Sequence, residues 1–235
     1  MISKTKVRIP LYQKAIYDWL YGSKKVSKFF DQQWLLDLLT LGTSRTIQNS
    51  LLKEIKPRRR VLQLGVALGN QMEKIIETLG PDGRYDIMDV NKLQLDRVNE
   101  KYKYLYPNMK FILQDASEPI QGRYDIIICS MLLHEVPSST KSKIINNILD
   151  ALDTKNKAIF IDYHQPLYRH PLRYVVRMVN RLYQPFAEKL WDREIHSLAE
   201  NKTQFIWRKT TFFGRMYQKV IVTKKAPSYR RVTSI

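Results

Sequence analysis

An α/β fold on a seven-stranded sheet, five parallel strands followed by a C-terminal antiparallel pair, is what this 235-residue sequence predicts. Three features point to it. From residue 60 onward, short apolar runs alternate with amphipathic, helix-like segments, the pattern of βα units around a parallel sheet. Near the end the pattern changes: 204–213 and 216–224 are rich in Phe, Trp, Thr, Ile and Val and meet at Gly214, as an antiparallel hairpin does. No internal repeat or low-complexity tract interrupts the series, and the length suits one large domain with a full core.

The elements follow in order. Ahead of the sheet, 11–21 and 26–41 read as helices, with Ile16, Trp19, Leu20, Phe29, Phe30, Trp34, Leu35 and Leu38 supplying apolar faces. Residues 1–56 are therefore expected to form an N-terminal helical cap. Strands are expected at 61–65, 85–90, 110–114, 124–129 and 158–163, with helices near 71–79, 93–105 and 140–152. Pro81-Asp82-Gly83 and Pro107-Asn108 mark turns just before strands. The main domain spans 57–225 and includes a basic amphipathic insertion at 165–200, and 226–235 is a basic tail. A nicotinamide-binding Rossmann sheet would continue with a sixth parallel strand. The hairpin ending instead matches the Rossmann-like sheet of the class I methyltransferases.

Composition narrows the function. The net charge is +18, yet residues 61–163 carry 12 Lys+Arg against 14 Asp+Glu, whereas 1–60 carry 13 against 4 and 164–235 carry 15 against 4. A near-neutral core with basic flanks suits an enzyme core whose additions face an anionic surface. Residues 126–133 form the longest nearly uncharged apolar run, too short to span a bilayer, and the start lacks the apolar region of a signal peptide. The expected location is the cytoplasm, peripherally on the inner face of the membrane. Cys129, the single cysteine, excludes an intramolecular disulfide and reads as a buried thiol. No RNA-binding module accompanies the charge, so nucleic acid is not an expected partner.

Ligands of open α/β sheets bind beyond the carboxyl ends of the strands, and the informative residues fall there. Gly65 and Gly69 flank the first strand-to-helix loop, where a missing side chain lets backbone approach a ligand. Asp89 ends the second strand and is placed to accept ribose hydroxyls. Asp115 and Ala116 follow the third strand near an adenine position, and Ser130 and Met131 follow the fourth. A cofactor with adenosine but no pyrophosphate, such as S-adenosylmethionine, needs fewer glycines than a dinucleotide. For each glycine a plain tight turn, and for each acid a helix cap, is the structural alternative. His134 and Glu135 after the fourth strand, and Tyr163 and His164 after the fifth, are the candidate reacting residues, supplying an acid, a base or metal ligands. A capping and loop-bonding pair is the alternative for His134 and Glu135, while Asp162 reads as a residue that orients loops.

Four strings, Phe30-Asp31-Gln32-Gln33-Trp34-Leu35, Leu132-Leu133-His134-Glu135, Ile161-Asp162-Tyr163-His164-Gln165-Pro166 and His170-Pro171-Leu172-Arg173-Tyr174, together resemble the rhodoquinone-biosynthesis family RquA over about residues 10–224. Gln63, where ordinary methyltransferases carry an acid, also matches. The resemblance implies a class I methyltransferase fold, S-adenosylmethionine and manganese as cofactors, and transfer of an amino group to ubiquinone in place of a ring methoxy group. Leu68 and Asn70 depart from that family, which has an aromatic residue and an acid there. Conventional methylation of a quinone or other lipophilic acceptor is the alternative, and a cofactor-free scaffold of the same fold is the non-enzymatic one. Asp115 and Glu135 are plausible carboxylate ligands, but spacing leaves the metal ligands unassigned. A lipophilic quinone also gives the insertion a role. Arg169, Arg173, Arg177 and Arg181 form a basic stripe beside Val175, Val176, Val179 and Leu182, with Tyr168, Tyr174, Tyr183 and Trp191 suited to a bilayer interface. An ordinary helix packed on the sheet with a solvated arginine face is the alternative.

Overall fold

The computed structural model describes Pro10 and residues 32–40, 42–183 and 186–226; of Leu39, Val175, Val179, Asn180, Leu182 and Tyr183 it describes the backbone alone. The helix expected at 11–21, the start of the next one, Phe30, Asp31 and the tail from 227 lie outside the described residues. The strands are β1 (Arg60–Leu64), β2 (Arg84–Asp89), β3 (Met109–Leu113), β4 (Ile126–Ser130), β5 (Lys157–Tyr163), β6 (Phe205–Phe212) and β7 (Tyr217–Lys224). They form one sheet in the order β3-β2-β1-β4-β5-β7-β6. The first five are parallel, and β7 pairs antiparallel with both β5 and β6. Strand order reverses at β1, so β1 and β4 are neighbours whose crossovers leave in opposite directions.

Among the described residues six α-helices accompany the strands: α1 (Gln33–Leu39), α2 (Thr43–Leu52), α3 (Gln71–Leu79), α4 (Lys92–Tyr102), α5 (Ser138–Asp150) and α6 (Arg173–Tyr183). Each central strand is apolar on both faces because helices cover both. Leu62, Leu64, Ile127, Cys129 and Phe160 pack with Ile144, Ile148 and Leu149 of α5 on one side. Val61, Ile87, Ile126, Ile128 and Ile159 pack with Leu51, Ile75, Leu79 and Leu95 on the other. The spacing of Met72, Ile75, Ile76 and Leu79 on α3 puts all four on one buried stripe.

Two differences from the expected elements have local causes. The helix expected to run to 41 stops at Leu39. Gly42, at φ +78°, turns the chain into α2, a helix that the polar string Thr-Ser-Arg-Thr does not announce. Its buried residues Ile47 and Leu51 are only one turn of apolar signal. The helix expected at 93–105 ends at Tyr102, where the chain tightens toward Pro107.

Candidate functional site

At the carboxyl ends of β1 to β4 a cleft of about 720 Å³, continuous with solvent, is lined by Gly65, Val66, Met88 to Asn91, Gln94, Gln114 to Ala116, Ser130 to Leu132, Glu135, Val136 and Ile144. Six predicted residues meet there: Gly65, Asp89, Asp115, Ala116, Ser130 and Glu135. Gly65 adopts φ +85°, which a side chain resists, and its amide donates to Met88 O at 2.8 Å, stitching the loop to β2. The Asp89 carboxylate accepts from Val66 N at 2.8 Å through Oδ2 and from Asn91 N at 2.7 Å through Oδ1. Burial raises its pKa, and the amides of Asn91, Val66 and Val90 oppose that rise. Each oxygen keeps a second lone pair for a ligand hydroxyl. Asp115 accepts from Ser117 N at 2.8 Å, fixing the turn that carries Ala116.

Asn91 and Gln94 were not visible as site residues in the sequence. Asn91 caps α4 by accepting from Leu93 N and Gln94 N, so the helix starts at the cleft and Gln94 faces into it. The available signal was an Asn just before an amphipathic run, an ordinary cap.

Gln63 and Gly69 lie outside the lining. Gln63 is fully buried under the loop: its Nε2 donates to Gly65 O at 3.0 Å, and its Oε1 accepts from Tyr85 Oη and from Gln71 Nε2. It braces the loop from within the protein. Gly69, at φ +73°, is a packing glycine. A Cβ there would stand 2.5 Å from Gln33 Oε1 and 2.7 Å from Leu36 Cδ1, so its bareness lets α1 close on the loop. Asn70 joins the same contact: its amide donates to Gln33 Oε1 and its Oδ1 accepts from Gln48 Nε2.

Glu135 reaches the cleft from a short 3-10 turn, Leu133–Glu135. Asp162, near the end of β5, holds that turn. Its Oδ2 accepts from Leu133 N at 2.8 Å and His134 N at 3.3 Å, and its Oδ1 lies 2.9 Å from His134 Nδ1 and accepts from Tyr163 N. The bond to a carboxylate assigns a hydrogen to Nδ1. Nε2 then faces Glu135 Oε1 at 4.0 Å. Burial lowers the affinity of His134 for a proton, but the Asp162 carboxylate, with Glu135, more than offsets it, and the pKa rises above 6.5. The Tyr163 ring meets the His134 ring edge-on at 4.7 Å. His134 and Tyr163 thus stand behind Glu135, not in the cleft wall.

His164 departs from the expected grouping. Its Nδ1 lies 3.1 Å from both Gln165 O and Arg215 O, and its Nε2 faces Lys209 Nζ at 3.3 Å and Glu194 Oε1 at 3.5 Å. The chain leaves β5 after Tyr163, and His164 N donates to Met216 O at 2.8 Å, which sets this residue against the hairpin. Tyr163 turns toward His134, and His164 fastens the hairpin. Among the described residues, no three His, Cys, Asp or Glu side chains gather to hold a metal. Of the nominated donors, His134 Nδ1 is committed to Asp162 and His164 lies at the hairpin, away from Asp115 and Glu135, so this donor set does not fit the manganese that the resemblance implies.

The fold is that of the class I methyltransferases. Residues 61–155 match the family model described as a methyltransferase domain. Human N-acetylserotonin methyltransferase, solved with S-adenosylmethionine, superposes with a TM-score of 0.63 at 15% identity, covering 93% of this chain and 61% of that one. The mitomycin 7-O-methyltransferase MmcR gives 0.66 at 14% identity, covering 88% and 60%. The pyocyanin biosynthetic protein PhzM gives 0.66 at 12%, covering 89% and 62%. In sequence, lovastatin diketide synthase lovF of Aspergillus terreus is 24% identical over 115 residues, 45% of this chain and 5% of that protein. Lovastatin diketide synthase mokB of Monascus pilosus is 27% identical over the same length. The chain spans about 60% of these solved proteins and about a twentieth of the synthases.

Proposed function

We propose that this protein is an S-adenosylmethionine-dependent transferase whose acceptor is a lipophilic membrane quinone, with an amino group as the transferred group. The observation that carries the cofactor reading is Asp89: a carboxylate at the carboxyl end of β2, oriented by the amides of Val66 and Asn91, with lone pairs left for a ribose diol. Ala116 and Asp115 supply a neighbouring surface for a purine, and Gly65 lets the donor end pass close to β1. Bound S-adenosylmethionine supplies the group to be transferred. The quinone and the amino group rest on the resemblance to RquA, as does a protein held peripherally at the inner face of an anionic membrane; no helix among the described residues is long and apolar enough to cross one.

Within this reading Glu135 is the group that reaches the acceptor, and His134, held by Asp162, stands beside it. Substituting a ring methoxy group by nitrogen forms a ring C–N bond and expels the methoxy group as methanol. It would require the donor's own C–N bond to break by elimination, and it needs removal of a proton from the incoming nitrogen. Glu135 accepts that proton in the cleft, and His134 Nε2, 4.0 Å away, stands ready to share it. The second reading, methyl transfer to a lipophilic hydroxyl, is favoured by one observation: the described residues do not gather three metal donors at the cleft. There Glu135 removes the hydroxyl proton, the freed oxygen takes the methyl group, and the demethylated cofactor leaves with the sulfur electron pair. Incubation of the full chain with ubiquinone, manganese and nitrogen-labelled S-adenosylmethionine separates the two. Label in the quinone is expected, and a methylated product alone would overturn amino transfer.

A further inference from the structure

We propose that the outward stripe of α6, with the turn before it, is a docking surface for anionic phospholipid headgroups at the same end of the sheet as the cleft. The surface deepens the membrane reading above by assigning its residues, but it stands on separate observations. β5 ends at Tyr163, at the same end of the sheet as the cleft, and the chain leaves from there. Segment 164–170 is fastened to the hairpin turn: Leu167 N donates to Gly214 O at 2.9 Å, and the His170 ring meets Phe213 at 5.1 Å. α6 is thereby fixed at that end of the molecule. Its inner side is marked by Val176, which packs against the core.

Facing out are Tyr174, 69% exposed, and Met178, 59% exposed, one turn apart, with Arg181 one turn further. Tyr168, 78% exposed, and Leu167 extend this apolar surface into the preceding turn. The Arg173 guanidinium lies over the Tyr168 ring at 5.4 Å and donates to Pro166 O. Positive charge surrounds the apolar groups. Between Asp162 and Glu188 the sequence has four arginines and no acid. Glu188 accepts from Arg177 Nε at 3.3 Å and pairs with Arg181 Nε at 3.4 Å, so one carboxylate meets two guanidiniums and the segment keeps its positive excess.

Exposed tyrosine, leucine and thioether groups ringed by arginine match a headgroup layer, where rings and short apolar side chains sink below phosphates that bind guanidinium in pairs of hydrogen bonds. A second copy would bring the same positive stripe and repel. A convex helix without a groove offers nucleic acid phosphate contacts but leaves Met178 and Leu167 with nothing to bury against. Glu188 is then the group that phosphate displaces, turning two intramolecular ion pairs into contacts with lipid.

Co-flotation of the full chain with phosphatidylcholine–phosphatidylglycerol vesicles, and with phosphatidylcholine alone, tests this. Binding is expected to the mixed vesicles only. Replacing Arg173, Arg177 and Arg181 by Gln should lower partitioning roughly a hundredfold, at about 1 kcal/mol for each arginine near the surface. The charge-matched control replaces Arg58, Arg59 and Arg84 by Gln, at the opposite end of the sheet, and should change it far less. Tyr174→Ser with Met178→Ser, both exposed and without consequence for folding, should remove the binding that survives high salt. Equal losses in the control, no effect of the serine pair, or retention on RNA or as a salt-stable dimer in place of vesicles each overturn the proposal. Turnover separates this from the activity itself: the arginine variant should keep activity on a short-tailed, water-soluble quinone and lose it on vesicle-borne quinone. A chain that turns over neither quinone yet binds vesicles as described refutes the proposed chemistry and leaves the docking surface standing.

Discussion

Asp89 and Asp162 are two buried carboxylates that the same sheet uses in opposite ways. Burial raises the pKa of Asp89, opposed by the amides of Asn91, Val66 and Val90 and by the positive charge of Arg97. Its charge is a stability liability that a ligand's hydroxyls would offset. Asp89→Asn is therefore expected to weaken S-adenosylmethionine binding by about 2 kcal/mol, the cost of a hydrogen bond to a charged group, while leaving the unliganded thermal midpoint unchanged or raised. Titration calorimetry beside a melting curve reads both, and a fall in midpoint without loss of affinity would make Asp89 a loop brace only. Asp162 is matched to a partner. His134 has its folded pKa raised above 6.5, so the stability it contributes is complete below pH 6.5 and fades as pH rises through the raised value. Asp162→Asn should cost about 3 kcal/mol, as breaking a buried pair does, with the larger loss at pH 6 than at pH 9. It should also drop the His134 titration, read from its imidazole NMR resonance, below 6.5. A resonance that titrates unchanged would sink the pairing. Asp89 was legible from its place at a strand end. The pairing of Asp162 with His134 was not, because the two are 28 residues apart and only the β4–β5 register brings them together.

Between helices and strands, the glycine loop is where α1 meets the sheet. Gly69→Ala forces a left-handed φ on a residue with a side chain and drives its Cβ into Gln33 and Leu36. The expected loss is about 2–4 kcal/mol from backbone strain and overpacking together, with faster amide exchange across α1. Urea unfolding and hydrogen exchange measure this, and exchange that quickens in α3 while α1 stays protected would place the strain elsewhere. The sequence marked the loop by its glycines, yet it could not distinguish a glycine that admits a ligand from one that admits a helix. Gly65 borders the cleft, whereas Gly69 receives α1. α2 and the role of Gln63 were hidden for a related reason: both are defined by partners far along the chain. Local patterning served best where packing is itself local, as in the central strands, whose apolar runs reflect burial on two faces.

At the scale of the molecule, the division of charge seen in the sequence maps onto position. The near-neutral stretch builds β1 to β5 and the cleft, and the arginines of α6 are carried at the same end of the sheet. If the cleft takes S-adenosylmethionine, ligand at a hundred times its dissociation constant stabilises the fold by about 2.7 kcal/mol, which raises the midpoint roughly 5–10 °C for a domain of this size. A scan with and without the cofactor, and with its demethylated product, is a direct check, and coincident curves for both ligands would favour a scaffold that no longer binds them. Order of elements and site position were legible because strand ends and helix starts are set by chain order. The transferred group was not, since it depends on side-chain distances in a cleft assembled from four separate loops.

The position of β7 has a consequence for how the chain comes to be folded. β7 follows β6 in the chain but lies inside it in the sheet, against the whole length of β5 from Lys157 to Tyr163. During synthesis, β1 to β5 can pair in turn as they emerge, yet the outer edge of β5 stays open until residue 224 has left the ribosome. That edge, Ala158-Ile159-Phe160-Ile161, is uncharged and strongly apolar, so the nascent protein carries an adhesive strand through about sixty residues of further growth. A chaperone that shields apolar edges has its period of use defined by this topology, from the emergence of β5 until the hairpin closes.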